Sequence, residues 1–457
     1  MSDKPPLSYE YHVILGRADC GKVLLLPGED GWRLPGFVES ERRHWQDVDH
    51  VACGLSKSYG AQVNMLRCAA IDYERDSELI ARVYVAELQS QGWQAPSGAI
   101  WAGQSEVAGL QLALPRQRAA IDEWFGWYTN EGPAPPQRAA WYIPGWHAKT
   151  SAWISEQLQV LGIEQIGPVT QLRSWQRSAI WRVPTEWGEM HFKAVPPMFG
   201  HEAGLTAALA TIAPRHVVGP VAADSRRGWM LLPAVRGASL DEQPEIELWE
   251  AALRSFARLQ IASTSQTGRL RSAGAPDRPL TKLASQIAPL LGDVEATLPG
   301  RPAGLSAEQR ADLASLVPRL REMCAELSSY GLPASIEHGD LWANQIIAGA
   351  GGFHILDWSD SAIGHPFFSL LLLLLEVEDH FPKEPGVRNR LRDAYLEPWA
   401  SLLPRRRLER AFELSQPLAA LHHAITYQQI VLPQIEVAWE IDLMLPFYLK
   451  MVLRLVR

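Results

Sequence analysis

The sequence predicts an α+β protein in consecutive parts: a small α+β domain (1–128), a linker (129–140), a small sheet-rich lobe (141–236) and a large helical lobe (237–457). Three observations carry this. At 457 residues the chain exceeds what one hydrophobic core usually organises. Its first section alternates short β-branched runs with turn residues. Beyond Gly237, apolar residues fall at helical spacing instead, as Trp249, Ala252, Leu253, Phe256 and Leu259 do.

In order, the strand-like runs are Tyr11-His12-Val13-Ile14-Leu15, Lys22-Val23-Leu24-Leu25-Leu26 and Leu79-Ile80-Ala81-Arg82-Val83-Tyr84-Val85, the first two followed by the turn Gly28-Glu29-Asp30-Gly31. A helix over 47–59 stops at Gly60, a natural C-terminal residue because it tolerates the left-handed conformation. Asn130-Glu131-Gly132-Pro133-Ala134-Pro135-Pro136-Gln137 reads as a proline-stiffened linker. A helix over 147–161 then precedes strands at Ile180-Trp181-Arg182-Val183, Met190-His191-Phe192-Lys193-Ala194-Val195 and Trp229-Met230-Leu231-Leu232. Ser306 and Gln309 form a capping box ahead of a helix running to Tyr330. The apolar run 366–375 reads as a buried helix, and His422-His423 as a partly exposed pair on a later one.

Composition narrows the function. An apolar fraction of 47% with 21% charged residues describes a globular chain. A net charge of -8 argues against a general nucleic-acid binder. The run 366–375 is about half the length of a bilayer span, so no membrane partner is expected. Cys20, Cys53, Cys68 and Cys324 show neither metal spacing nor a disulfide framework, and the first ten residues are polar and proline-bearing; both suit a cytoplasmic protein.

The most informative stretch is Ile336-Glu337-His338-Gly339-Asp340-Leu341-Trp342-Ala343-Asn344, followed by Asp357-Trp358 after the apolar run Phe353-His354-Ile355-Leu356. Phosphoryl transfer needs two such carboxylates: one to orient the attacking hydroxyl and take its proton, another to hold magnesium on the nucleotide. Taken alone, Asp340 could cap a turn and Asp357 or Asp360 could cap a helix. Together the pieces resemble the aminoglycoside phosphotransferase/choline kinase family of small-molecule kinases, strongly over 336–370 and loosely over the rest of 141–457.

That resemblance implies a two-lobed protein-kinase-like fold transferring the γ-phosphate of ATP or GTP to a small-molecule hydroxyl. It makes Asp340 the catalytic residue and Asp357 a magnesium ligand. The family's second metal ligand is an asparagine five residues after the catalytic aspartate; here that place holds Gln345, while Asn344 stands one residue early. Glutamine offers the same carbonyl oxygen on a longer stem and is favoured. Lys193 takes the place of the lysine that holds the nucleotide phosphates, and Glu202 that of the carboxylate anchoring it. Their plain alternatives are an edge-strand lysine and an ordinary first-turn acid. The turn Ser174-Trp175-Gln176-Arg177-Ser178 lacks glycine, so Ser178 is the implied phosphate contact. Leu232-Pro233-Ala234-Val235-Arg236-Gly237 resembles the lobe connector, whose backbone near Pro233 and Val235 would meet the base. His338 braces the loop. Nothing identifies the acceptor; the acidic residues Glu376, Glu378, Asp379, Glu436, Glu440 and Asp442 would suit a cationic substrate, but such residues more often form a solvated face.

The first domain, through Gly31-Trp32-Arg33-Leu34-Pro35-Gly36, resembles the entry to a Nudix fold. Registering its helix on Gly60 puts Cys53-Gly54 and Lys57-Ser58 where Nudix hydrolases carry metal-holding acids, which implies a degenerate module. Two rivals follow: a non-catalytic pseudokinase-like ligand binder, and a nucleoside-diphosphate hydrolase, which the missing acids oppose.

Overall fold

A computed structural model describes residues 7–17, 21–74, 78–89, 92–129 and 134–456. Residues 130–133 of the expected linker, Cys20 and the first six residues lie outside these. The chain divides into two compact units, Met1–Pro196 and Pro197–Arg457, a boundary within the span expected for the sheet-rich lobe. The whole is a mixed α+β fold, sheet-rich toward the start and helical toward the end. Among the described residues no helix is long and apolar enough to cross a membrane.

The first unit is built on a mixed sheet in the order Gly31–Arg33, Lys22–Gly28, Ser8–Arg17, Leu79–Leu88, Val63–Glu74. Ser8–Arg17 runs parallel to Leu79–Leu88 and antiparallel to Lys22–Gly28. The expected turn closes a hairpin with Gly28 opposite Gly31. Helix Asp49–Tyr59 ends at Gly60, whose φ of 65° lets its N–H donate to the Ser56 carbonyl. One sheet face buries Ile14, Val83 and Val85 against Ile121, Trp124 and Phe125.

Three antiparallel strands, Thr170–Trp175, Ser178–Thr185 and Gly188–Ala194, complete this unit. The outer edge of Thr170–Trp175 is not free. The Val48 N–H donates to the Leu172 carbonyl at 3.0 Å and the Ser174 N–H to the Gln46 carbonyl at 2.9 Å. The Gln171 amide straddles Met65, accepting from its N–H at 2.7 Å and donating to its carbonyl at 3.0 Å. Irregular register between Met65 and Arg67 accompanies the 2.6 Å bond from the Ser174 hydroxyl to the Leu66 carbonyl. Bulges commonly divert backbone groups from the ladder in this way.

In the second unit, helix Ile246–Thr264 buries Trp249, Leu253, Phe256 and Leu259 as the spacing predicts. Helix Val387–Leu396 packs beside it, and the leucine-rich helix Leu370–His380 and the long helix Arg405–Thr426 share its core. Leu370 to Leu374 are all buried, as befits opening turns that are apolar on every side, before the acidic end of the helix at Glu376, Glu378 and Asp379. The helix expected to reach Tyr330 is instead two, Ala307–Ser315 and Val317–Ser329. Pro318, in the first turn of the second, has no N–H to continue the first helix's ladder. The His422-His423 expectation is also corrected: both are 5% exposed, because the C-terminal half of their helix is enclosed by its neighbours.

The capping box forms as expected. The Gln309 N–H donates to the Ser306 hydroxyl and the Ser306 N–H to the Gln309 side-chain oxygen, at 3.1 and 2.9 Å. Ser306→Ala is expected to cost about 1 kcal/mol of stability, read as a lowered denaturation midpoint at unchanged slope.

Candidate active site

Strand Ser335–Glu337 pairs antiparallel with Ala362–Gly364, Glu337 lying opposite Ala362. The chain between them carries Asp340 out and Asp357 back. Within that excursion Ile346–Gly349 and Gly352–Ile355 form a hairpin with Ile346 opposite Ile355. Gln345 enters the hairpin and Asp357 follows it, and the Leu356 N–H donates to the Gln345 carbonyl at 2.8 Å.

Two backbone conformations shape this loop. Gly339 has φ 77°, and a Cβ there would come within 2.2 Å of the Asp360 carbonyl oxygen, so only glycine fits. Asp357 has φ 60° despite carrying a side chain. Such a conformation costs of order 1–3 kcal/mol and persists where the surroundings enforce it.

His338 joins the pieces. Its Nε2–H donates to the Leu356 carbonyl at 2.8 Å, one residue before Asp357. Its Nδ1 accepts the Asp340 N–H at 3.3 Å, which requires the neutral ring. Burial lowers its pKa from the ordinary value and keeps it neutral. The Ser369 hydroxyl accepts the His338 N–H, and the Ser361 hydroxyl donates to the His338 carbonyl. The expectation that His338 braces the loop therefore has a structural basis.

The acids themselves are held. The Trp342 indole donates to Asp340 Oδ1 at 3.0 Å. The Ser359 hydroxyl lies 2.7 Å from Asp357 Oδ1 and 3.1 Å from Asp360 Oδ2. Glu376 Oε1 accepts the Ala343 N–H at the start of the turn Ala343–Gln345. Asn344 is exposed and Gln345 half-buried. Behind the loop, buried Glu337 accepts from His422 Nε2 at 3.0 Å, and Arg278 donates to the Thr426 hydroxyl at 2.5 Å. A cavity of about 50 Å³, bordered by Arg278, Gln286 and His422, opens there; it has room for a few water-sized groups.

The second unit thus brings Asp340, Gln345 and Asp357 into one hydrogen-bonded loop system. Glu202 opens helix Glu202–Ile212 and is buried; Pro233 ends strand Trp229–Pro233, and Val235 follows it, half-buried. Gly237 is pinned to the hairpin, since a Cβ there would meet the Ala348 carbonyl oxygen at 2.2 Å. In the first unit, Lys193 is buried on strand Gly188–Ala194 opposite Ile180. The Ser178 hydroxyl accepts the Trp175 indole N–H at 2.9 Å. Sequence reasoning missed Ser359 and the Glu337–His422 pair, and read Glu376 only as one of several acids for a cation or a solvated face, not as the acceptor of the Ala343 N–H. Ser359 stands two residues after an aspartate, the spacing for such a bond, whereas Glu376 and His422 meet the loop only through the fold.

A family model described as "Phosphotransferase enzyme family" matches residues 171–408, just over half of the chain. No curated protein matches. Among solved structures, a choline/ethanolamine kinase family protein from Mesorhizobium loti is 15% identical with a TM-score of 0.48, covering 67% of this chain and 95% of its own. A choline kinase from Cryptosporidium parvum is 13% identical with a TM-score of 0.46, covering 69% and 93%. A spectinomycin phosphotransferase, in complex with ADP and spectinomycin, is 10% identical with a TM-score of 0.42, covering 67% and 98%.

Proposed function

Since the chain belongs to the phosphotransferase enzyme family, we propose that it moves the γ-phosphate of ATP or GTP to a hydroxyl of a small molecule. The observation that carries this reading is the circuit from the Asp340 N–H through His338 to the Leu356 carbonyl, which ties one carboxylate to the approach of the other. In this reading Asp340 orients the hydroxyl and accepts its proton late in transfer. Gln345 and Asp357 supply an amide and a carboxylate oxygen, the donors a hard ion such as magnesium takes. Bound there, magnesium would neutralise charge on the transferring phosphoryl group. Lys193, Glu202 and Ser178 keep the nucleotide-side roles the resemblance gives them, and the backbone at Pro233 and Val235 that of base contact.

Residues 1–128 are read as a Nudix-like module without hydrolytic acids. Close packing supports this: a Cβ on Gly54, where the first acid pair would fall, would lie 2.2 Å from the Phe37 ring. The second reading, a pseudokinase-like ligand binder, is favoured by one observation, the exposed Asn344 beside a glutamine in the metal position.

The test is thermal unfolding of wild type and Asp357→Ala with magnesium plus ATP, GTP or neither. A nucleotide at about a hundred times its dissociation constant adds roughly 2.7 kcal/mol of stability. A magnesium-dependent rise in wild type, lost in the variant, is expected. No rise with either nucleotide would sink the phosphotransferase reading.

A further inference from the structure

A cluster of unsatisfied buried groups lies in the first unit. Tyr11 and Arg82 are opposite one another on the parallel strands Ser8–Arg17 and Leu79–Leu88, so their side chains leave the same sheet face. Helix Asp49–Tyr59 brings His50 to the edge of the Tyr11 ring, 5.0 Å between centroids. All three are enclosed: Tyr11 is 0%, Arg82 6% and His50 9% exposed. Yet the Tyr11 hydroxyl, Arg82 Nε and Nη1, and His50 Nε2 are buried without a hydrogen-bond partner.

Arg82 makes no ion pair among the described residues. Its guanidinium stands 5.2 Å from the centre of the Tyr9 ring and 5.9 Å from that of Tyr11, contacts that offset part of its desolvation but accept none of its protons in line. A buried guanidinium without a counter-charge is among the costliest arrangements a fold can keep. Tyr11 is a donor here, because burial pushes its hydroxyl up to about 12. Arg82, Tyr11 and one tautomer of His50 each keep a buried proton that no described group accepts. What is missing is an acceptor with negative charge and several oxygens.

We propose that the first domain holds a small oxyanion, a phosphate or carboxylate group of a ligand, between Arg82, Tyr11 and His50. The site owes nothing to the phosphotransferase chemistry and gives the first domain a ligand-binding role. Its ligand class follows from the donors: an anion of few atoms, since the layer between sheet and helix is filled by Phe37, stacked on Tyr11 at 5.1 Å, and by Tyr84.

The test uses the full chain with inorganic phosphate and, separately, acetate. An unfolding temperature that rises with one anion and saturates is expected, and which anion does so separates a phosphate-bearing from a carboxylate ligand. Arg82→Met should abolish that rise while leaving the anion-free protein at least as resistant to heat, because a structural arginine would instead destabilise on removal. Tyr11→Phe, which deletes one hydroxyl and keeps the ring, guards against a misfolded Arg82 variant; its calorimetric Kd for the anion should weaken about tenfold. No rise with either anion, or a rise unchanged in both variants, would overturn the proposal.

Discussion

Asp340→Asn is expected to lower turnover by about 10²- to 10⁴-fold, the range a positioned acid–base group contributes, while nucleotide-dependent stabilisation persists. Asparagine keeps a side-chain oxygen for the Trp342 indole and a backbone N–H for His338, so the loop has no reason to move. It cannot take a proton from a hydroxyl. Steady-state kinetics with any working acceptor, set beside thermal shifts with magnesium and nucleotide, separates the two properties. Turnover within a few-fold of wild type would remove Asp340 from the mechanism. A ligand-binding protein without turnover would show no difference between the two chains in either measurement.

Glu337→Ala is expected to cost about 3–5 kcal/mol of stability, the usual result of removing one partner from a buried charged pair. The loss would appear as a lower urea midpoint. Burial alone would raise the Glu337 carboxyl, but the charge and hydrogen bond of His422, with His423 and Arg278, hold it below the ordinary range. A carboxyl lowered on folding contributes stability that is present above its unfolded value of about 4.3. That contribution disappears as pH falls through the lower folded value. Unfolding free energies from pH 7 down to 3 should therefore fall less steeply for Glu337→Gln than for wild type. Equal slopes would show that this carboxyl is not what acid titrates.

Much of the loop chemistry was legible because it is local. His338, Gly339 and Asp340 are adjacent, so the brace and the acid could be read together from one short stretch. Helix ends such as Gly60 and Ser306 were legible for the same reason, since caps act within four residues. What escaped was set by distance along the chain. His422 looked like half of an exposed pair because nothing nearby in sequence reveals that Glu337, 85 residues earlier, packs beneath it. The break before Val317 was missed although Pro318 marks it, because the capping box upstream gave the helix a clear start and no clear stop. The φ of 60° at Asp357 had no signal either, for neither glycine nor asparagine stands there.

Strand Thr170–Trp175 looks like the border of its sheet, but residues 46–48 supply the neighbour that its outer amides and carbonyls require. This matters to anyone who would shorten the protein. A product beginning near residue 141 would expose a row of unpaired backbone groups beside Trp175, an invitation to self-association. A proteolytic nick inside the proline-rich stretch would leave both fragments still gripping each other. Trimming for expression or crystallisation should preserve the amino-terminal region.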